Sequence, residues 1–261
     1  MNRGIKSKNI FKQLVYIRHG SRPMYEPEKM EKWKKTSRYI ANKYDDELTE
    51  TGIRETKQTA FNLLNLINAN NFKYIYSSPL IRCVQTSAII VDTLRTYYPD
   101  LDPKIRIEYG LREDQNIGFF CPIQFVGKEM EYGHFAETSI DSNLSPESIY
   151  AKFPNHIDNT YTSLAPFAKV IPRNINHNIL DLVNTVDKIT NENNNSIIVS
   201  HGGLTYYFLH MFLTQNKFVT NMEEYYQFLD KVGSNRTLNF VSIYNKLYSN
   251  FELVFGPQRI I

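Results

Sequence analysis

Six side chains scattered over 261 positions are chemically suited to gripping and attacking an anion: Arg18, His19, Arg22, Arg82, Glu113 and His201. The densest group is Arg18-His19-Gly20-Ser21-Arg22, where two guanidiniums flank an imidazole and a glycine. Arginine presents paired donors that match phosphate or carboxylate oxygens, and glycine lets the chain turn sharply and approach a ligand. A neutral imidazole nitrogen can attack phosphorus and hold the group covalently, which splits one hard step into two. Neighbouring guanidiniums favour that neutral form and also neutralise the oxygens of a transferring phosphoryl group. A carboxyl such as Glu113 can protonate a leaving oxygen and then deprotonate the attacking water. The candidate chemistry is phosphoryl transfer through His19, and it calls for no metal or other cofactor.

Each of these residues needs an element to carry it. Leu14-Val15-Tyr16-Ile17 reads as a strand buried on both faces that ends at Arg18 and His19. Phe72–Tyr76 reads as a second strand, with Ser78 as N-cap and Pro79 opening a helix whose stripe is Ile81, Val84, Ala88, Val91 and Leu94. Ile105–Tyr109 runs into Gly110-Leu111-Arg112-Glu113, and Ser196–Ser200 ends at His201. Between the first two strands, Thr49 caps a helix with Ile53, Ala60, Leu63, Leu64 and Ile67 on one stripe. Further helices are expected over Asn178–Thr190 and through Tyr206, Leu209 and Leu213, and last strands over Asn239–Tyr244 and Phe251–Phe255. Strands alternating with helices predict an α/β fold of three layers, α/β/α, around a mostly parallel sheet. Ligands bind beyond the carboxyl ends of such strands, so the topology gathers all six residues at one rim.

Two long stretches, Pro23–Asp46 and Asp114–Arg173, lack sustained apolar periodicity and read as insertions. In the first, Trp33, Tyr39 and Tyr44 are expected to gate the site rather than only to pack; in the second, Ser145-Pro146-Glu147 opens a helix. Residues 1–12 read as a polar tail and 13–261 as one domain. A formal net charge of only +3, without a basic run interleaved with aromatics, argues against nucleic acid as a partner. Two cysteines, Cys83 and Cys121, exclude a disulfide scaffold and point to reduced thiols. With no secretory signal in Met1–Gln13 and no apolar run long enough to span a bilayer, a cytoplasmic protein is expected. Cys83 reads as a small buried helix residue, and His134, His156, His177 and His210 as surface or core histidines.

Arg18-His19-Gly20, with Ser200-His201-Gly202 far downstream, resembles the histidine phosphatase superfamily, also called phosphoglycerate mutase-like. Asp45-Asp46-Glu47-Leu48-Thr49-Glu50-Thr51-Gly52 is similar to that family's "D-x-x-L-T-x-x-G" segment. Ser78-Pro79-Leu80-Ile81-Arg82-Cys83-Val84-Gln85-Thr86, with Arg22 in "R-H-G-x-R", most resembles the branch of the TULA proteins and ecdysteroid-phosphate phosphatase. The resemblance implies a phosphoglycerate mutase-like fold with insertions over the active site. It implies His19 as phosphohistidine nucleophile, Arg18, Arg22, Arg82 and His201 as phosphate ligands, and Glu113 as proton donor. It also makes a homodimer an expectation. Ser21 departs from the Glu or Gln of many relatives, and Asp114–Phe120 lacks the "Y-G-x-L-x-G" continuation of the mutases. The expected activity is therefore phosphomonoester hydrolysis, on a phosphorylated small molecule or phosphoprotein. Phosphotyrosine, steroid phosphate and metabolite phosphate all stay open as substrates. A phosphoglycerate-type mutase and a catalytically weak phospho-ligand-binding module are the alternatives.

Overall fold

The computed structural model describes residues 13–41, 45–66, 72–112, 145–164, 184–186, 188–189, 192, 195–201, 240–245, 250–255 and 258–259. Four parallel strands form its centre: β1 (Gln13–Arg18), β2 (Phe72–Ser77), β3 (Lys104–Ile107) and β4 (Asn195–Ser200). Three strands extend it antiparallel beyond β1: β5 (Phe240–Asn245), β6 (Asn250–Phe255) and β7 (Gln258–Arg259). The order is β3-β2-β4-β1-β5-β6-β7, so β4 enters between the first two strands of the chain. Leu14 pairs with Ser196 and Arg18 with Ser200, which brings the carboxyl ends of β1 and β4 level.

Alternation along the strands explains why helices cover both faces. Val15, Ile17, Ile75, Ile105, Ile197 and Val199 point to one side, against Ala60 and Leu63 of α3 (Glu50–Leu66) and Val84, Ile90, Val91 and Leu94 of α4 (Ile81–Tyr97). Leu14, Tyr16, Tyr76 and Ile198 point to the other, against Val186 and Ile189. Full burial of each such side chain contributes roughly 1.5–3 kcal/mol. The three-layer α/β/α arrangement expected from the sequence is the arrangement found. Among the described residues no helix is long and apolar enough to cross a membrane.

The helix starts differ from expectation in one place. Thr49 caps α3 as anticipated, its Oγ1 accepting from the Gly52 N–H at 3.1 Å. Helix α4, however, starts at Ile81 rather than at Pro79, with Leu80 at its N-cap and no cap bond from that side chain. The orphan N–H of Ile81 is met instead by Asp45 Oδ1, at 2.7 Å and from 36 residues away. Ser78 Oγ accepts only a long bond from the Leu80 N–H, at 3.5 Å, and has its closer partner, His201 Nε2 at 2.8 Å, in the site.

The described parts of the two insertions contain short helices. Pro23–Tyr25 is a 3-10 turn, followed by α1 (Pro27–Trp33) and α2 (Ser37–Ala41). Trp33 is buried, edge-on to Tyr39 and beneath the Arg38 guanidinium. Those contacts give Trp33 a packing role rather than the expected gating one; Tyr44 lies outside the described residues. In the second insertion α5 (Pro146–Lys152) is capped by Ser145, and Ile157 makes a parallel bridge to Ile105 of edge strand β3.

Candidate active site

The carboxyl ends of the parallel strands bring Arg18, His19, Arg22, Arg82 and His201 together. His19 follows β1 directly, and its N–H donates to the Ser200 carbonyl at 2.9 Å, which locks it to the end of β4. The next residue explains the glycine. A Cβ on Gly20 would lie 2.6 Å from the Gly52 carbonyl oxygen and 2.6 Å from Thr56 Oγ1, so the chain here is pressed against the first turn of α3. Gly52 is the matching half: its Cβ would fall 2.1 Å from the Ser21 carbonyl oxygen. Close approach of two backbones, rather than of backbone to ligand, is what Gly20 provides. Gly20 N–H also donates to Thr86 Oγ1 on α4 at 3.2 Å, so one loop is tied to three elements.

Ser21, the unexplained residue of the motif, belongs to this seam. Its N–H donates to Glu55 Oε2 at 3.2 Å, and its carbonyl accepts from the Thr49 N–H at 3.0 Å. Burial raises the Glu55 carboxyl above its usual range, partly opposed by its hydrogen bonds from Ser21. Ser21 is an anchor between β1 and α3.

His19 Nδ1 lies 2.7 Å from the Gly20 carbonyl oxygen. A carbonyl can only accept, so Nδ1 carries the proton and Nε2 keeps its lone pair. Burial holds the ring well below the ordinary histidine range, helped by Arg82, His201, Arg18 and Arg22. The result is a neutral imidazole of fixed tautomer among guanidiniums. His201 packs edge-on, with ring centroids 5.3 Å apart. Its Nδ1 accepts from Arg82 Nη2 at 3.3 Å, so Nε2 is the protonated nitrogen that donates to Ser78 Oγ at 2.8 Å. Burial, then Arg82, keeps this ring neutral as well. Cys83 is buried as anticipated, with Sγ 3.5 Å from His201 Nε2.

The arginines sit in three settings. Arg82, in the first turn of α4, is wholly buried. Arg22 is 12% exposed, and both share one carboxylate: Asp46 Oδ1 lies 3.1 Å from Arg22 Nη1 and 3.3 Å from Arg82 Nη1. Arg18 donates to the Tyr25 hydroxyl at 2.5 Å, and the Tyr25 ring stands beneath both Arg18 and Arg22. Tyr25 and Asp46, from the two ends of the first insertion, both reach the site.

Glu113 lies outside the described residues, one position beyond Arg112. The described turn before it is held by Glu108, a buried carboxylate just past β3. Glu108 accepts from the Gly110 N–H, the Ser163 and Tyr161 hydroxyls and the Leu164 N–H at 2.6–3.1 Å. The 3-10 turn Tyr109–Leu111 follows, and the Leu111 carbonyl accepts from Ser200 Oγ at 2.7 Å, so this turn is tied to the end of β4. Also outside the described residues are Cys121, His134, His177 and His210; His156 is a partly exposed histidine bonded to Asp92.

Sequence reasoning did not single out Asp46, Tyr25, Ser78 or Glu108. Asp46 and Ser78 stood inside quoted motifs, but their partners lie 24–36 and 123 residues away respectively. Among the described residues no group of three or more His, Cys, Asp or Glu could hold a metal ion.

Residues 14–116 match the family model of the histidine phosphatase superfamily (branch 1). No curated protein matches the chain. Among solved structures, the ecdysone phosphate phosphatase of Bombix mori, in complex with tungstate, aligns at TM-score 0.51 and 16% identity, over 96% of this chain and 94% of that one. The phosphoserine phosphatase of Entamoeba histolytica, in complex with 3-phosphoglyceric acid, aligns at TM-score 0.43 and 18% identity, over 95% and 98% of the two chains. At 16% identity the likeness to the first is one of fold.

Proposed function

Since residues 14–116 match the family model of the histidine phosphatase superfamily, we propose that the protein is a phosphomonoester hydrolase working through a phosphohistidine on His19. The observation that carries this reading is the state of His19: buried, neutral, protonated on Nδ1 by its bond to the Gly20 carbonyl, and surrounded by arginines. An imidazole prepared in this way attacks through Nε2. The bond from phosphorus to the ester oxygen breaks as the bond from phosphorus to Nε2 forms. Arg18, Arg22 and Arg82 hold the non-bridging oxygens where charge accumulates. His201 lies edge-on beside His19, and a phosphate oxygen can accept the Arg82 N–H that His201 Nδ1 now accepts. Glu113 gives its proton to the departing alkoxide or phenoxide and takes one back from the water that hydrolyses the phosphohistidine. The Glu108 anchor, which holds the preceding turn, supports that role by placing residue 112 at the strand ends.

Substrates are phosphorylated small molecules or phosphoproteins, acted on in the cytoplasm. The expected result is phosphate release from a generic aryl phosphate, reduced on the order of a thousandfold or more in His19→Ala. A panel of aryl, peptide, sugar and steroid phosphates then ranks the substrate classes. Undiminished hydrolysis by His19→Ala sinks the assignment, and transfer between hydroxyls without hydrolysis redirects it to a mutase.

A further inference from the structure

Resting on that phosphatase reading, we infer that Asp46 is an internal competitor of phosphate, a carboxylate that occupies the anion site and keeps its hold on phosphate weak. Its Oδ1 takes an N–H from Arg22 at 3.1 Å and one from Arg82 at 3.3 Å. These are two of the three guanidiniums assigned to the phosphoryl oxygens. The Asp46 side chain is only 3% exposed and Arg82 is fully buried, so the bridge lies inside the site rather than on its rim. A phosphate oxygen that takes these Nη1 donors displaces Asp46 from them, because two anions so close in a poorly polarisable interior repel.

The carboxylate cannot retreat far with its backbone. Its neighbour Asp45 is bonded to the Ile81 N–H at 2.7 Å, and Leu48 donates to Gln85 Oε1 at 2.8 Å, so the loop is fastened to α4 on both sides. Only side-chain rotation releases the arginines. Charge makes the same point. Three arginines, two neutral histidines and one carboxylate give the cluster a balance that a phosphomonoester dianion just neutralises. Without Asp46, a surplus positive charge would favour retention of the inorganic phosphate product. Asp46 therefore tunes substrate and product affinity as a specificity-determining residue, and takes no part in the bond changes.

The test is inhibition of aryl phosphate hydrolysis by inorganic phosphate, together with direct calorimetric binding of phosphate, in wild type, Asp46→Asn and Asp46→Glu. Asp46→Asn is expected to bind phosphate about tenfold more tightly, the worth of a recovered charge-assisted hydrogen bond, with KM falling in the same direction. Asp46→Glu, which keeps the charge, should return the affinity towards wild type. A purely structural bridge predicts the opposite, because losing it would loosen Arg22 and weaken binding. Equal or weaker binding by Asp46→Asn overturns the inference while leaving the phosphatase reading intact; absence of phosphate binding in both proteins overturns the two together. A wild-type crystal soaked in phosphate gives an answer independent of any variant's folding. Asp46 should be found turned away from Arg82, and an anion bound with the bridge unbroken contradicts the inference.

Discussion

Two places in this molecule gather buried or partly buried arginine with tyrosine and carboxylate, and they are built to opposite ends. Around β3, Arg106 lies 3.3 Å from the centre of the Tyr74 ring and 4.7 Å from that of Tyr161. Its guanidinium donates to Asp158 at 3.1 Å and to the Tyr76 hydroxyl at 3.0 Å, with Glu192 at 3.9 Å. One cation there meets two carboxylates and three rings. At the ends of β1 and β4, three arginines gather beside two imidazoles that burial keeps neutral, and one carboxylate, Asp46, pairs with two of the arginines. The first cluster has no positive charge left over for an outside anion. The second carries a surplus of positive charge that an anion would satisfy. Residue type does not separate a structural cluster from a binding one; charge balance does.

The seam between the catalytic loop and α3 is where this contrast breaks most easily. Gly52→Ala places a Cβ 2.1 Å from the Ser21 carbonyl oxygen, a contact that only backbone movement can relieve. The expected loss is at least about 1–3 kcal/mol of stability, accompanied by a large loss of activity, because Ser21 and His19 move together. Thermal unfolding and kcat measured on one preparation check it, and a variant equal to wild type in both would refute the seam.

Arg106→Ala sharpens the contrast from the other side. It leaves Asp158 and Glu192 without their cation and opens space between rings, which should cost about 1–3 kcal/mol in urea unfolding. The kcat of the folded fraction should stay at the wild-type value. A kcat that falls without loss of stability would mean that the two clusters are not separate in function.

The mildest effect is that of pH. Both His19 and His201 titrate well below 6.5 in the native state. Below that pH the unfolded chain binds protons that the native chain refuses, so stability rises with pH through this window and levels off above it. Each histidine contributes a slope of up to about 1.4 kcal/mol per pH unit there. The acid limb of the activity profile should correspondingly fall below pH 6.5, where an ordinary imidazole would already be protonated. An acid limb above 6.5 would show that His19 is not held neutral.

The sequence was most informative where a run of apolar residues stops at a charged one. Leu14–Ile17 before Arg18, and Ser196–Ser200 before His201, give strand, burial and site position in one reading, because parallel strands buried on both faces tolerate no polar break until their ends. The last two strands fall within a residue of expectation, at Phe240–Asn245 and Asn250–Phe255. Short helices α1 and α2 were not legible, since Pro-Glu-Lys-Met-Glu-Lys-Trp buries little beyond Trp33 and shows no apolar stripe. The start of α4 was misplaced because its cap comes from Asp45 across the fold, and no local signal reports a partner 36 residues away. Asp46 was hidden for the same reason: an acidic residue in a loop reads as solvated until the fold sets two arginines against it.

The most direct test of the central claim is rapid acid-free quenching during turnover of a phosphorus-labelled aryl phosphate, followed by peptide mapping. The account predicts a stoichiometric label on His19 that is stable in alkali and lost in acid, as a phosphoramidate is, and that is absent from His19→Ala. Label on another residue, or full turnover with no covalent label at any time, would contradict it.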